Sequence, residues 1–334
     1  MRSYSSASLR QHGVAAKAAI ACMCACFSWS TVVQAEPSDL PPEVGYNYDE
    51  VETARIIGKN GADRALGSSV SALFNNPANM AAARVYHASA FAQIWPEAKR
   101  QSYGAAAVDS VSSSTRVSGG VGATWNRQDP NGVDRTATDL RFALAYPFSE
   151  RFFLGAGGRF MWLTQNGDGD LGGSYASGGL AREQIVKSIV FDAGLTVKPG
   201  GGLSLALVGN NLGEGDSGFQ PLSIGGGIGF ARDILGIEAD LVSDFVTWQE
   251  TKLRFMLGSE VLVGDHVVVR GGYRYDQGAV SHSGSLGVGY IDRAFSIDLG
   301  ARHVLAGDRA TAVVLSLNYH VESTGLTPTQ SETF

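Results

Sequence analysis

The chain has 334 residues, with 43 glycines, three cysteines and a formal net charge of −6. All three cysteines, Cys22, Cys24 and Cys26, fall within the first 35 residues, so the rest of the chain carries no thiol for a disulfide. Without those 35 residues, which hold Arg2, Arg10 and Lys17 and no acid, 23 Lys+Arg face 32 Asp+Glu, a net charge near −9 that excludes nucleic acid as a partner.

In chain order, the first predicted element is a secretory signal peptide over residues 1–35. Arg2, Arg10 and Lys17 form its positive start, Ala18 to Val33 its apolar stretch, and Val33-Gln34-Ala35 a small-residue cleavage site. A lipoprotein reading, with Cys22 after Ala19-Ile20-Ala21, has too little apolar sequence ahead of it. No later segment approaches 18 consecutive apolar residues, so no spanning helix is expected.

Residues 36–83 differ in character from the remainder of the chain. The stretch from Glu36 to Val44 is acidic and Pro-containing, and from Glu52 to Arg84 the pattern is short-helical and punctuated by glycine. This segment reads as an N-terminal plug rather than as a strand.

From residue 84 to 320 the chain repeats one unit, about ten residues of alternating apolar and polar character and then a turn. Fourteen strands are expected, near 84–95, 101–109, 115–125, 136–146, 151–163, 184–197, 202–210, 220–231, 234–245, 251–262, 266–276, 282–290, 294–304 and 310–320. Strands of nine to eleven residues tilted by about 45° cross a bilayer. Tight connections such as Arg232-Asp233 alternate with longer ones such as Gln165 to Glu183, the asymmetry of periplasmic turns and outer loops. An even strand count leaves both ends in the periplasm, with residues 321–334 as a polar tail.

Period two then assigns the faces. Phe142, Leu144, Trp162, Ile189, Leu257, Leu286, Leu299 and Leu317 take one side, toward lipid. Arg141, Arg159, Asp192, Glu238, Asp240, Asp244, Arg254, Glu260, Arg270, Arg274, Asp276, Asp298 and Arg302 take the other, as lumen-lining charges. The opposite register is excluded, because Arg or Lys facing lipid at mid-bilayer costs about 2–4 kcal/mol. Trp95, Tyr103, Trp125, Tyr146, Trp162, Trp248 and Tyr319 near strand ends suggest an interfacial girdle. Glycines inside strands, such as Gly157-Gly158, Gly271-Gly272 and Gly225 to Gly229, indicate curvature or close approach of a packed element. Buried charges need partners, so the inward residues either line a transport route or form a salt-bridge network that fills the barrel. The acidic row Glu238, Asp240 and Asp244 is expected to be neutralised by Arg254, Arg270, Arg274 and Arg302.

The run GSSVSALFNNPANMA from Gly67 to Ala81 resembles the N-terminal signature of the FadL/PorV-type outer-membrane barrels. That signature is a Gly-rich helical segment followed by Ala-x-x-(Asn)-Pro-Ala-Gly-Leu-Ala. Asn76-Pro77-Ala78 matches it, and Asn79-Met80 stands in place of Gly-Leu. The resemblance implies fourteen strands, an N-terminal plug and a place in the outer membrane of a Gram-negative bacterium. Asn75, Asn76, Pro77 and Ala78 become its anchor, held against the first strand. The mostly short outer loops resemble the compact PorV-like branch.

Three local patterns carry less. Asn166-Gly-Asp168-Gly-Asp170 opens like a calcium loop but has Leu171 where glycine and Ser177 where glutamate are required. Gly215-Asp216-Ser217-Gly218 has no His/Asp partners in reach. His282 and His303, on adjacent strands near Ser281 and Ser283, are the one arrangement suggestive of lipid hydrolysis, and a weak one. The reading is therefore all-β, a fourteen-stranded antiparallel transmembrane β-barrel with a short N-terminal plug, not an enzyme, and without metal or cofactor. It passes small hydrophobic molecules across the outer membrane with lipid around it. The alternative is a PorV-like accessory barrel docking periplasmic or surface proteins.

Overall fold

The structure, a computed structural model, describes residues 50–322 apart from 130–131, 168–182, 214–218, 249 and 308. The signal peptide, residues 36–49, most of the calcium-like loop, the Gly215–Gly218 segment and the tail beyond 322 lie outside the described residues. Among the described residues, no helix is long and apolar enough to cross a membrane.

Fourteen strands close into one antiparallel barrel. They are β1 Val85–Trp95, β2 Arg100–Asp109, β3 Ser118–Gln128, β4 Arg135–Ser149, β5 Phe152–Gln165, β6 Glu183–Gly200, β7 Leu203–Leu212, β8 Ser223–Arg232, β9 Leu235–Asp244, β10 Lys252–Val263, β11 Val267–Asp276, β12 Ser281–Ile291, β13 Phe295–Ala306 and β14 Thr311–Glu322. Each strand pairs with its sequence neighbours. The seam closes through β1 and β14, with Ala90 opposite Leu317 and His87 opposite His320. Preceding the barrel are helix α1 Ala54–Gly58, helix α2 Ser69–Asn75 and a 3₁₀ turn Pro77–Ala81.

The pleat separates two media. Leu140 and Phe142 are 46% and 56% exposed while Arg141 between them is 6% exposed. The same alternation runs through Ile237, Glu238 and Asp240, and through Ile297, Asp298 and Leu299. Large apolar side chains therefore cover the outside on every strand from β1 to β14. This is the exterior of an outer-membrane barrel, with its charges inside.

Strand ends agree with the expected ranges to within three residues. The third strand begins at Ser118 rather than near 115, because Asp109 Oδ1 accepts the backbone N–H groups of Val111 and Ser112 at 2.8 and 2.9 Å and turns the chain there. The connection after β2 is consequently longer than the other turns at that end of the barrel.

Two of the aromatics assigned to the girdle face inward. Trp95 is 2% exposed and lies between the guanidinium groups of Arg100 and Arg302, each 5.7 Å from a Trp95 ring centroid. Trp248 packs on a cluster of Ala137, Met161, Leu163, Val186, Phe219 and Ala279 at the long-loop end. In both cases an available inward partner at a strand end overrides the usual interfacial preference. Tyr103 and Trp125 do stand on the outside, stacked at 6.1 Å.

Candidate functional site

Residues 50–81 occupy the lumen and follow its inner wall. Ala54 N donates to Ser316 Oγ on β14 at 2.9 Å. Ser285 Oγ on β12 donates to Gly58 O at 3.0 Å, and Asn60 Nδ2 donates to Ser283 O at 2.9 Å. Asp63 and Arg64 reach Asp240 on β9, and Asn76 Nδ2 reaches Thr196 Oγ1 on β6 at 2.9 Å. The segment thus passes from β14 around to β6 and on toward β3, where Met80 lies against Gly120.

Inward-facing glycines make room for it. A Cβ on Gly258 of β10 would lie 2.8 Å from Lys59 Cβ, and one on Gly287 of β12 would lie 3.1 Å from Gly58 Cα. Both are closer than packed carbons tolerate, so backbone meets backbone only because these side chains are absent.

The anchor residues seat elsewhere than expected. The Pro77–Ala81 turn packs on β4, β5 and β6 rather than on β1, because Gly155 and Gly194 leave hollows there for Ala78 and Asn76. Asn76 is fully buried; its Oδ1 accepts from Ala78 N at 3.1 Å and its Nδ2 donates to Arg64 O at 2.8 Å. Pro77 opens the turn, where its missing N–H costs nothing. Asn75 is only half-buried, and its Nδ2 makes no hydrogen bond.

The twelve inward charges outside Asp276 all face the lumen, eleven of them buried and Glu260 half-buried. Their partners come largely from residues 50–66. Arg254 and Arg274 both bind Glu50, Arg302 binds Glu52, and Glu260 takes Arg55 at 3.2 Å and Arg270 at 2.6 Å. Arg270 also reaches Asp298 at 2.5 Å. Arg159 pairs with Asp139, and Arg141 donates to Phe74 O at 3.1 Å. Asp192 accepts Asn211 N at 2.8 Å.

The acidic row is not held mainly by the arginines of later strands. Glu238 takes Lys59 at 3.3 Å and the backbone N–H groups of Ala65 and Leu66, while Asp240 takes Arg64 and two backbone N–H groups. Only Asp244 is paired with Arg254, at 3.4 Å. The reason is proximity: the N-terminal segment brings cations and free N–H groups into direct contact with β9. Period two identified the barrel charges but could not show these partners. The dense charge of Glu50, Glu52, Arg55, Lys59, Asp63 and Arg64 was the available signal.

Electrostatics in the segment follow from the same pairing. Burial alone would raise the Glu50 carboxyl, but Arg274 and Arg254 outweigh it and hold the group well below the usual carboxylate range. Burial would likewise lower the Lys59 ammonium, and Asp63 with Glu238 reverse that and raise it. A polar pocket of about 20 Å³ remains among Glu50, Asn75, Arg159, Asp192 and Arg254, enough for about one water.

The other side of the lumen is apolar. Leu73, Phe74, Met80, Phe91, Ala106 and Val108 belong to one buried cluster between α2 and strands β1, β2 and β3. The Phe74 ring meets Phe91 edge-on at 5.8 Å and lies 5.6 Å beneath the Arg141 guanidinium. A Cβ on Gly122 would be 3.1 Å from Phe74 Cζ. On the lipid side of this same wall is a depression of about 920 Å³, floored by Ala88, Ala90, Ala105, Ala107 and Ala123. Leu140 borders it on one side and Ile297, Leu317 and Tyr319 on the other. Phe74 therefore stands on the lumenal side of this wall, behind Gly122.

The histidine–serine arrangement does not assemble. Ser281 and Ser283 are buried on the inner face, with Ser283 Oγ donating to Asn60 Oδ1 at 3.3 Å. His282 instead pairs with Tyr273 Oη at 2.6 Å, and His303 with Thr311 Oγ1 at 2.9 Å. Among the described residues no three His, Cys, Asp or Glu side chains group as metal ligands.

No protein-family model matches the sequence, and no curated protein matches it. Solved structures do. The CymD monoaromatic hydrocarbon channel superposes with a TM-score of 0.61 at 15% identity, over 83% of this chain and 98% of the other. The toluene transporter TbuX of Ralstonia pickettii gives 0.58 at 17% identity, over 83% and 99%. A FadL homologue of Pseudomonas aeruginosa gives 0.58 at 16% identity, over 82% and 99%. The chain has the FadL-type fold, a fourteen-stranded outer-membrane barrel.

Proposed function

We propose that this barrel is a passive, non-enzymatic channel for small hydrophobic molecules, with residues 36–83 as its plug and the α2 side of the lumen as the route. The observation that carries this reading is the depression floored by alanine on the lipid side, backed by Phe74 and Leu73. Its volume is that of a small-ligand site, and its lining is almost wholly apolar. For a ligand to leave sideways into the membrane there, the wall of β1, β2 and β3, hydrogen-bonded throughout between the lumen and this depression, has to part locally as the Phe74 ring moves aside. The charges from Glu238 to Arg302 then hold the plug on the opposite wall. The names of two structures of like fold, a toluene transporter and a monoaromatic hydrocarbon channel, support the same class of cargo.

A second reading, an accessory barrel that docks protein partners, is favoured by one observation: the polar half of the lumen is filled to a pocket of about 20 Å³. Uptake of radiolabelled toluene and oleate by intact cells, with and without the barrel, separates the two. Copurification of a stable partner with no gain in uptake supports the second.

A further inference from the structure

We infer that His87 and His320 form a binding site for one late first-row transition-metal dication of the zinc, nickel or copper kind, on the inner wall at the seam that closes the barrel. The two residues lie directly opposite each other across β1 and β14. Their ring centroids are 6.2 Å apart at 78°. An imidazole nitrogen bound at about 2.0–2.1 Å from zinc places its ring centroid about 3.2 Å from the ion, so two rings at a tetrahedral angle stand about 5.2 Å apart. The observed pair is within about 1 Å of that separation, a rotamer adjustment.

The hydrogen bonding points the same way. His87 Nδ1 is 3.0 Å from Ser69 Oγ. With that nitrogen donating to the hydroxyl, the lone pair resides on Nε2, on the far side of the ring; Nε2 is buried and makes no hydrogen bond of ordinary length, with the Asn318 side chain as a neighbour of the ring. Ser89 Oγ, two residues along the same face of β1, is likewise buried and unpartnered. A ligating histidine that gives its other N–H to an oxygen has its tautomer and ring orientation fixed, which is the role Ser69 fills. Imidazole selects zinc, copper and nickel over magnesium or calcium. Water completes the coordination, since among the described residues no third His, Cys, Asp or Glu groups with the pair. Access is from the short-turn end: His87 is the third residue of β1, His320 the third from the end of β14, and both are partly exposed. The site does not depend on what the barrel transports.

The test is calorimetric titration of the folded barrel in detergent at pH 7.5 with zinc chloride or nickel chloride, and with magnesium chloride as control. Zinc and nickel are expected to bind at one equivalent and magnesium not at all. H87Q and H320Q should each lose at least about tenfold in affinity, while a variant carrying both H282Q and H303Q binds as wild type. Should either glutamine variant fail to fold, the wild type provides the reading: zinc must protect His87 and His320 from carbethoxylation by diethyl pyrocarbonate. Absence of zinc and nickel binding, undiminished binding in H87Q and H320Q, or absence of that protection overturns the site.

Discussion

Asp240 Oδ2 receives both the backbone N–H of Arg64, at 3.1 Å, and its guanidinium Nη1, at 3.3 Å. One carboxylate on the barrel wall thus holds one residue of the lumenal segment by main chain and side chain together. Glu238, two residues away on the same face, accepts the backbone N–H groups of both Ala65 and Leu66 on its Oε1. Charge-assisted bonds of this kind are stronger than neutral ones.

Replacing Asp240 by alanine should therefore free the segment. It leaves Arg64 buried without its carboxylate, a loss of about 3–5 kcal/mol for a broken buried pair. Trypsin is expected to cut the variant after Arg55, Lys59 or Arg64 under conditions in which the wild type resists. Equal resistance in both contradicts the anchoring.

Gly258 tests the seat itself. A leucine there must displace Lys59, whose Cβ would be 2.8 Å from the new Cβ. The expected cost is about 1–3 kcal/mol, read as a lower urea midpoint. Leucine at Gly226, which meets only Ala206 O at 3.5 Å and faces away from the segment, should change the midpoint little.

Acid should loosen the segment through Glu50. Its folded-state carboxyl is depressed by Arg274 and Arg254 despite burial, so its stabilisation is fully present above its unfolded value of about 4.3. It is lost as pH falls below that value toward the depressed one. Urea midpoints of the wild type should drop between pH 5 and pH 3, and E50Q should be weaker at pH 7 with a flatter profile over that interval. Parallel profiles for the two proteins would contradict the assignment.

How much of the molecule is legible in its sequence differs by element. Strand positions and faces were legible because lipid and lumen demand opposite side chains at every step, as at Leu140, Arg141 and Phe142. Partners were not. Glu238 and Asp240 signalled only that they were inward, and their contact with Lys59 and Arg64 depends on how a non-strand segment lies on β9. The anchor was misplaced for the same reason: Asn76-Pro77-Ala78 marks a turn, but Gly155 and Gly194 decide which wall receives it. The depression depends on β14 meeting β1, which joins alanines 88 to 123 with Leu317 only after closure. Trp95 turned inward because Arg100 and Arg302 flank it there, the second of them distant in sequence.

The proposed transport stands or falls on passage through the wall beside Phe74. Hydrophobic solutes cross bare phospholipid unaided, so the measurement belongs in intact cells: the initial rate of oleate and toluene uptake with wild type, F74A, and G122F, whose added ring crowds the lumenal face of the wall against Leu73 and Phe74. Wild type should exceed cells lacking the barrel, F74A should exceed wild type, and G122F should fall to the background. Uptake at the background rate with folded wild-type barrel in the outer membrane, or uptake indifferent to both substitutions, is incompatible with a route at this wall.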